Sequence, residues 1–209
     1  AWWAPALGKA AMKVGSVIMW ATDLQPFFMG ILVSVFVGIA LTLPISSAAI
    51  CAALGLTGLA GGAAVAGCCA QMVGFAVMSF KENKWGGLVS QGIGTSMLQM
   101  GNIVRNPRIW IAPILTSAIT GPIATCLFKL QMNGTAVSSG MGTCGFVGQI
   151  GVYTGWMNDI AEGTKTAVTA MDWAGLFLIS FILPAVLCPL INMFVRKLGW
   201  VKDGDMTLS

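Results

Sequence analysis

The sequence has no histidine and very little charge. Without histidine, these 209 residues hold no imidazole base, no histidine metal ligand and no site for a phosphohistidine. Charged residues make up 9% of the chain, against about 25% in an ordinary soluble domain. From Leu24 to Phe80 there is not one charge in 57 residues. The net charge of +4 comes without any basic run that would grip nucleic acid. Metal-ligand spacing is also missing. The six cysteines (Cys51, Cys68, Cys69, Cys126, Cys144 and Cys188) lie in apolar or glycine-rich segments and read as small buried hydrophobes. No catalytic residue, metal site or cofactor is expected.

What fills the chain is hydrocarbon. Hydrophobic residues make up 56%, and the mean hydropathy is +0.84. Apolar runs of about 20 residues read as transmembrane helices, so the expected fold is an all-α integral membrane protein. Residues 1–26, with Trp2, Trp3, Trp20, Lys9 and Lys13, suit an interfacial amphipathic helix or the end of a preceding region. About four spans follow, at 27–43, 54–80, 109–128 and 173–195. Gly30, Ser34 and Gly38 give the first a small-residue face for close helix approach, and Gly58 and Gly62 give the second another. Asn106 before Pro107 is a helix start, and Pro113, Pro122, Pro184 and Pro189 are expected to kink the last two spans.

Two stretches fit neither span nor loop. Residues 85–104 carry five glycines with Ser90, Gln91, Thr95, Ser96, Gln99 and Asn102. Residues 132–156, "MNGTAVSSGMGTCGFVGQIGVYTGW", carry seven glycines and no charge. Lys81, Lys84, Arg105, Arg108, Arg196, Lys197 and Lys202 all fall on the cytoplasmic side only if both stretches leave the membrane on the side from which they came. The loop with Asp159, Glu162 and Asp172 against Lys165 then falls outside. Both stretches are therefore expected to be re-entrant glycine-rich hairpins. Irregular backbone at membrane depth survives only where protein buries it or a polar cavity satisfies it, and opposed hairpins meeting near the midplane are a recurrent transporter design. A faint echo, "VSQGIG" at 89–94 and "VGQIG" at 147–151, fits paired hairpins.

The chemistry on offer is uncharged. Asp23, Glu82, Asp159, Glu162 and Asp172 sit at predicted membrane edges and are expected to be solvated, and Lys129 is expected to snorkel outward. The candidate binding side chains are Gln91, Thr95, Ser96, Gln99 and Asn102 in one hairpin, with Asn133, Ser138, Ser139, Thr143 and Gln149 in the other. Amides and hydroxyls both donate and accept, which suits a neutral polyhydroxylated ligand such as a sugar. The same groups are equally able to satisfy one another and the broken backbone. Trp85, Tyr153 and Trp156 are read as interfacial anchors ahead of sugar-stacking platforms.

Three motifs carry a resemblance: "LPISSAAI" at 43–50, "GTSMLQMGNIVRNPRIWIAP" at 94–113 and the 132–156 stretch. Together they resemble the enzyme IIC-like membrane family of the bacterial phosphotransferase system, in its perfringolysin regulator-like group, from about Gln25 to Arg196. The resemblance implies a multi-pass protein of the bacterial inner membrane, with a sugar-transporter-like fold. It also implies a homodimer in the lipid bilayer, cytoplasmic phosphotransferase-system partners and a neutral, sugar-like solute. Family members are longer at the start, and the first residue here is Ala, so the chain is expected to be a C-terminal part. Sugar-translocating members typically place a Glu, and often a His, at the sugar. Neither hairpin here contains Glu, and the chain has no His. A non-phosphorylating permease for another neutral solute, or a membrane sensor that keeps the transporter fold, therefore stands beside the phosphotransferase reading.

Overall fold

A computed structural model describes Lys13 and residues 16–208. The interfacial helix expected over 1–26 lies largely outside the described residues; 16–24 are helical. Helix α1 (Pro26–Thr42) begins with proline at its first turn, where the missing N–H costs nothing. Helix α2 (Ser47–Leu54) is capped by Ser46, which accepts from the Ala49 N–H, and closes on Gly55 in the left-handed conformation. Helix α3 (Gly58–Met78) is the buried centre. Two short helices follow, α4 (Phe80–Val89), with a break at Lys84, and α5 (Met100–Arg105). A 3₁₀ turn leads into α6 (Ile111–Pro122), with Asn106 accepting from the Arg108 N–H as its sequence position implies. Then come a single turn, α7 (Ala136–Ser139), and α8 (Val147–Ala161). Helix α9 (Ala170–Phe177) starts in a Thr169–Asp172 capping box and runs on into α10 (Leu183–Lys197). Among the described residues no strand forms, and an isolated antiparallel bridge pairs Gly58 with Met132.

Among the described residues three helices are long and apolar enough to cross a membrane: Gly58–Met78, Pro107–Leu127 and Ala170–Lys197. They overlap the expected spans 54–80, 109–128 and 173–195, and the expected span 27–43 corresponds to the shorter apolar helix α1. The expected span 54–80 is also divided, because Gly55 ends α2 before α3 begins. Proline acts differently from the expected kinks. The helix widens into π-type turns at Ile123–Leu127 after Pro122 and at Leu178–Ile182 before Pro184. The Pro184 ring supplies no N–H to the turn before it, and the π turn at Leu178–Ile182 absorbs that mismatch without ending the helix; the turn after Pro122 has no such account.

Contacts along α3 fix the helix directions. On α1, Gly38 lies against Gly67 and Thr42 bonds Gln71, so α1 runs parallel to α3. The α9–α10 stretch is also parallel, with Ser180 beside Cys69 and Cys188 further on against Gly74. Helix α6 is antiparallel, since Trp110 reaches Gln71 and Ser117 reaches Gly67. This corrects the charge-based parse, in which spans 27–43 and 54–80 cross in opposite senses. Helix α2 instead carries the chain back to the end where α3 starts. Residues 44–54 contain no charge, so nothing in them marked the side on which they lie.

Charges of both signs collect at the two ends. One end of the bundle gathers Asp159, Glu162 and Asp172 with Lys129 and Lys165 near Asn133, and the other gathers most of the basic residues, Arg196 among them, with Glu82, Asp203 and Asp205 around the C-terminal segment. Not every edge acid is solvated. The Glu82 carboxylate is nearly buried and accepts from Arg196 (3.0 Å) and the Gly204 N–H (3.0 Å). Four of the six cysteines are buried, but Cys126 is exposed and Cys144 half-buried, because both lie on outward faces.

Candidate functional site: two opposed helical hairpins

The two anomalous stretches are both chain reversals that return to their own end of the bundle. Residues 85–104 start and finish beside the C-terminal segment, where Asn83 and Gln99 both donate to the Met206 carbonyl. Residues 132–156 start and finish at the acidic end. There a Cβ on Gly155 would lie 2.7 Å from the Asn133 nitrogen, and one on Gly134 would lie 2.3 Å from the Gly151 carbonyl oxygen. Glycine at both positions lets the two legs touch backbone to backbone. The tip of this hairpin contains Gly142, Gly145 and Phe146, all at positive φ. Phe146 is a strained choice there, of the kind that clusters at functional sites.

The tips meet beside α3. The Thr143 hydroxyl donates to the Gly92 carbonyl (2.5 Å) and lies against Met72. Gly142 packs on Cys68 and Cys69, and Gly92 approaches Ala76. The π-type turn Ser90–Gly94 frees backbone groups at this point.

The ten expected binding side chains do not converge on one cavity. Gln91, Gln99 and Asn102 form a chain of amides. Gln99 donates to Gln91 (2.9 Å) and Asn102 donates to Gln99 (2.8 Å). Gln91 also donates to Ser79, and Asn102 to the Thr207 carbonyl. Thr95 caps the following turn by accepting from the Met97 N–H. Ser96 is buried and shares a hydrogen bond with Thr42 (2.9 Å). Across the junction, Ser138 pairs with Thr135, and Ser139 donates to the Ala136 carbonyl. Asn133 sits apart at the acidic end, donating to both oxygens of Asp159 at 3.0 Å. Gln149 donates to Ser180 (3.0 Å) and Cys69 (3.3 Å), while its carbonyl oxygen is buried without a donor among the described residues. The anchor reading suits Trp85 (71% exposed) and Tyr153 (43%), but Trp156 is 3% exposed and packs edge-on against Trp173.

Gln71 was missed from sequence. It is fully buried at the crossing of α1, α3 and α6. Its oxygen accepts from the Trp110 indole (2.8 Å) and from Thr42 (3.2 Å), and its nitrogen reaches Ser117 (3.4 Å). A signal was present: it is the one amide between Pro26 and Phe80, where every other polar side chain is Ser or Thr. Polar groups inside spans are commonly structural glue or functional.

The C-terminal segment braces the first hairpin. Met206 is fully buried, and Asn106 donates to the Trp200 carbonyl (3.0 Å) and to Asp205 (2.8 Å). The Lys202 backbone N–H, with Asn106, Lys202 and Arg196 nearby, holds the Asp205 carboxyl below the usual carboxylate range. Asn83→Ala removes the acceptor for the Leu208 N–H and the donor to the Met206 carbonyl. It is expected to cost about 1–2 kcal/mol locally, read as faster protease cleavage after Lys202 with the bundle intact.

Two cavities flank these elements. One, about 460 Å³, lies at the acidic end between Asn133, Trp156 and Asp159. The other, about 630 Å³, is lined by hydrocarbon from α1 and α2 and offers a polyol nothing to bond. Among the described residues no group of three His, Cys, Asp or Glu side chains is placed to hold a metal ion.

A family model described as "Phosphotransferase system, EIIC" matches residues 1–208. The chain belongs to this family. EIIC proteins are integral membrane components of sugar transport, and the apolar helices of this EIIC agree with that environment. No curated protein and no solved structure matches the chain.

Proposed function

We propose that this EIIC chain is the membrane permease component of a sugar phosphotransferase system. On this reading it binds and translocates a neutral, sugar-like solute between two re-entrant hairpins, 85–104 and 132–156. The transport domain is 27–209, a multi-pass homodimer in the bacterial inner membrane that works with cytoplasmic phosphotransferase-system proteins. The observation that carries the solute site is Gln149. It stands on the second hairpin against Cys69 and Ser180, with a buried carbonyl oxygen that has no donor among the described residues. A buried acceptor left unmade costs about 1–3 kcal/mol, and a solute hydroxyl would relieve that cost. The glycine-built junction at Thr143 and Gly92 gives the two hairpins a shared surface that can shift as they separate.

The test is uptake of labelled neutral sugars by the full protein in proteoliposomes, with phosphoenolpyruvate and the soluble phosphotransferase proteins inside. Gln149→Ala is expected to lower uptake at least tenfold. Uptake unchanged in Gln149→Ala would remove the site from this hairpin. The absence of His from the chain, and of Glu from both hairpins, favours a second reading without phosphoryl transfer. Uptake that proceeds without phosphoenolpyruvate selects the non-phosphorylating permease. Binding without flux selects the sensor.

A further inference from the structure

The cavity at the acidic end is built by the base of the second hairpin. The close approaches of Gly134 to Gly151 and of Gly155 to Asn133 clamp the two legs together. That clamp sets the Asn133 amide against both Asp159 oxygens. On another wall, Lys165 pairs with Asp172 (2.8 Å) and stands over the Trp156 ring, 5.4 Å from its centroid. Lys129, Gln131, Glu162 and Thr164 complete the polar lining. The volume of about 460 Å³ falls within the range of about 300–1,000 Å³ usual for small-molecule sites.

The lining selects a chemical class. Its carboxylates are spread around the cavity and do not converge on one point, so they do not form a metal cage. Asp172 is paired with Lys165, and Lys129 stands in the same lining as Asp159 and Glu162, so the charges nearly balance and no concentrated field is left for an ion. What remains is a set of separated acceptors, amides, a hydroxyl and the Lys129 ammonium beside an indole, the pattern that meets several hydroxyls on one small molecule. We infer that this cavity is a capture site for a neutral polyhydroxylated solute, distinct from the junction of the hairpin tips and joined to it by the hairpin that starts at Asn133. The inference rests on the permease reading and adds to it the side of the protein that first takes the solute.

Isothermal titration of the full chain in lipid nanodiscs tests it, with glucose, fructose, N-acetylglucosamine, maltose and lactose as neutral probes and choline as a cationic one. At least one neutral sugar is expected to bind saturably. Asp159→Asn is expected to weaken that binding at least tenfold. Glu162→Gln is expected to weaken it several-fold; Glu162 is exposed, so that variant keeps the fold. Binding unchanged in both variants, binding of choline alone, or no binding of any sugar overturns the capture site. The two readings separate in parallel uptake measurements. Sugar binding that depends on Asp159 without any uptake keeps the capture site and removes the permease. Uptake with an unchanged KM in Asp159→Asn and Glu162→Gln does the reverse.

Discussion

Gly67→Ala is expected to cost more than about 3 kcal/mol, enough to lose most of the folded, monodisperse protein. A Cβ on Gly67 would sit 1.9 Å from the Ser34 carbonyl oxygen and 2.5 Å from its carbonyl carbon. Both atoms are backbone, so no side chain can turn away, and α1 must separate from α3 along the whole contact. That contact includes Gly38, and Gly30 makes a matching approach to Gly121 on α6. Overpacking commonly costs about 1–3 kcal/mol where side chains can adjust; here the obstruction is the main chain. Gly101→Ala, where a Cβ meets nothing within 4 Å, is the comparison and is expected to stay within about 0.5 kcal/mol of the parent. Size-exclusion profiles and thermal unfolding of detergent-solubilised protein read both. A normal profile for Gly67→Ala would mean that α1 and α3 do not pack this closely.

Gln71→Leu is expected to cost about 2–3 kcal/mol, since the lost partner leaves the Trp110 indole N–H with no acceptor at a packed crossing. Thr42 keeps Ser96, and Ser117 keeps the Pro113 carbonyl, so the penalty concentrates on Trp110. The double variant Gln71→Leu/Trp110→Phe removes donor and acceptor together. It is expected to recover about 1 kcal/mol relative to Gln71→Leu, because an absent pair costs less than an orphaned half. Thermal unfolding across the four proteins measures the coupling. Strictly additive losses would show that the Gln71–Trp110 bond contributes nothing, and Gln71 would then be free to serve a solute.

Much of the chemistry is legible in the amino-acid sequence. Residues 24–80 carry no charge and hold apolar runs of about 20 residues, which points to a lipid environment. The small residues at Gly30, Ser34 and Gly38 announced a close helix contact, and the structure places Gly67 and Gly121 there. The glycine and amide content of 85–104 and 132–156 marked them as broken segments. Asn106–Pro107 marked a helix start that Asn106 does cap.

The partners of the polar groups were not legible. Amides at 91, 99 and 102 look the same in sequence whether they face a solute or one another, and only the fold spends them on each other and on Met206 and Thr207. Asn133 belongs to the same quoted motif as Thr143, yet the hairpin places the two at opposite ends of one leg. The direction of α1 was also hidden. Charge reports the side of a membrane only where charge exists, and residues 44–54 have none. Composition by itself determined the solvent, the helical class and the places where helices break. Which broken segment meets which, and which polar atom is left without a partner, was decided by packing against α3, because hydrogen bonds form between atoms that the fold brings within about 3 Å and not between residues that merely share a type.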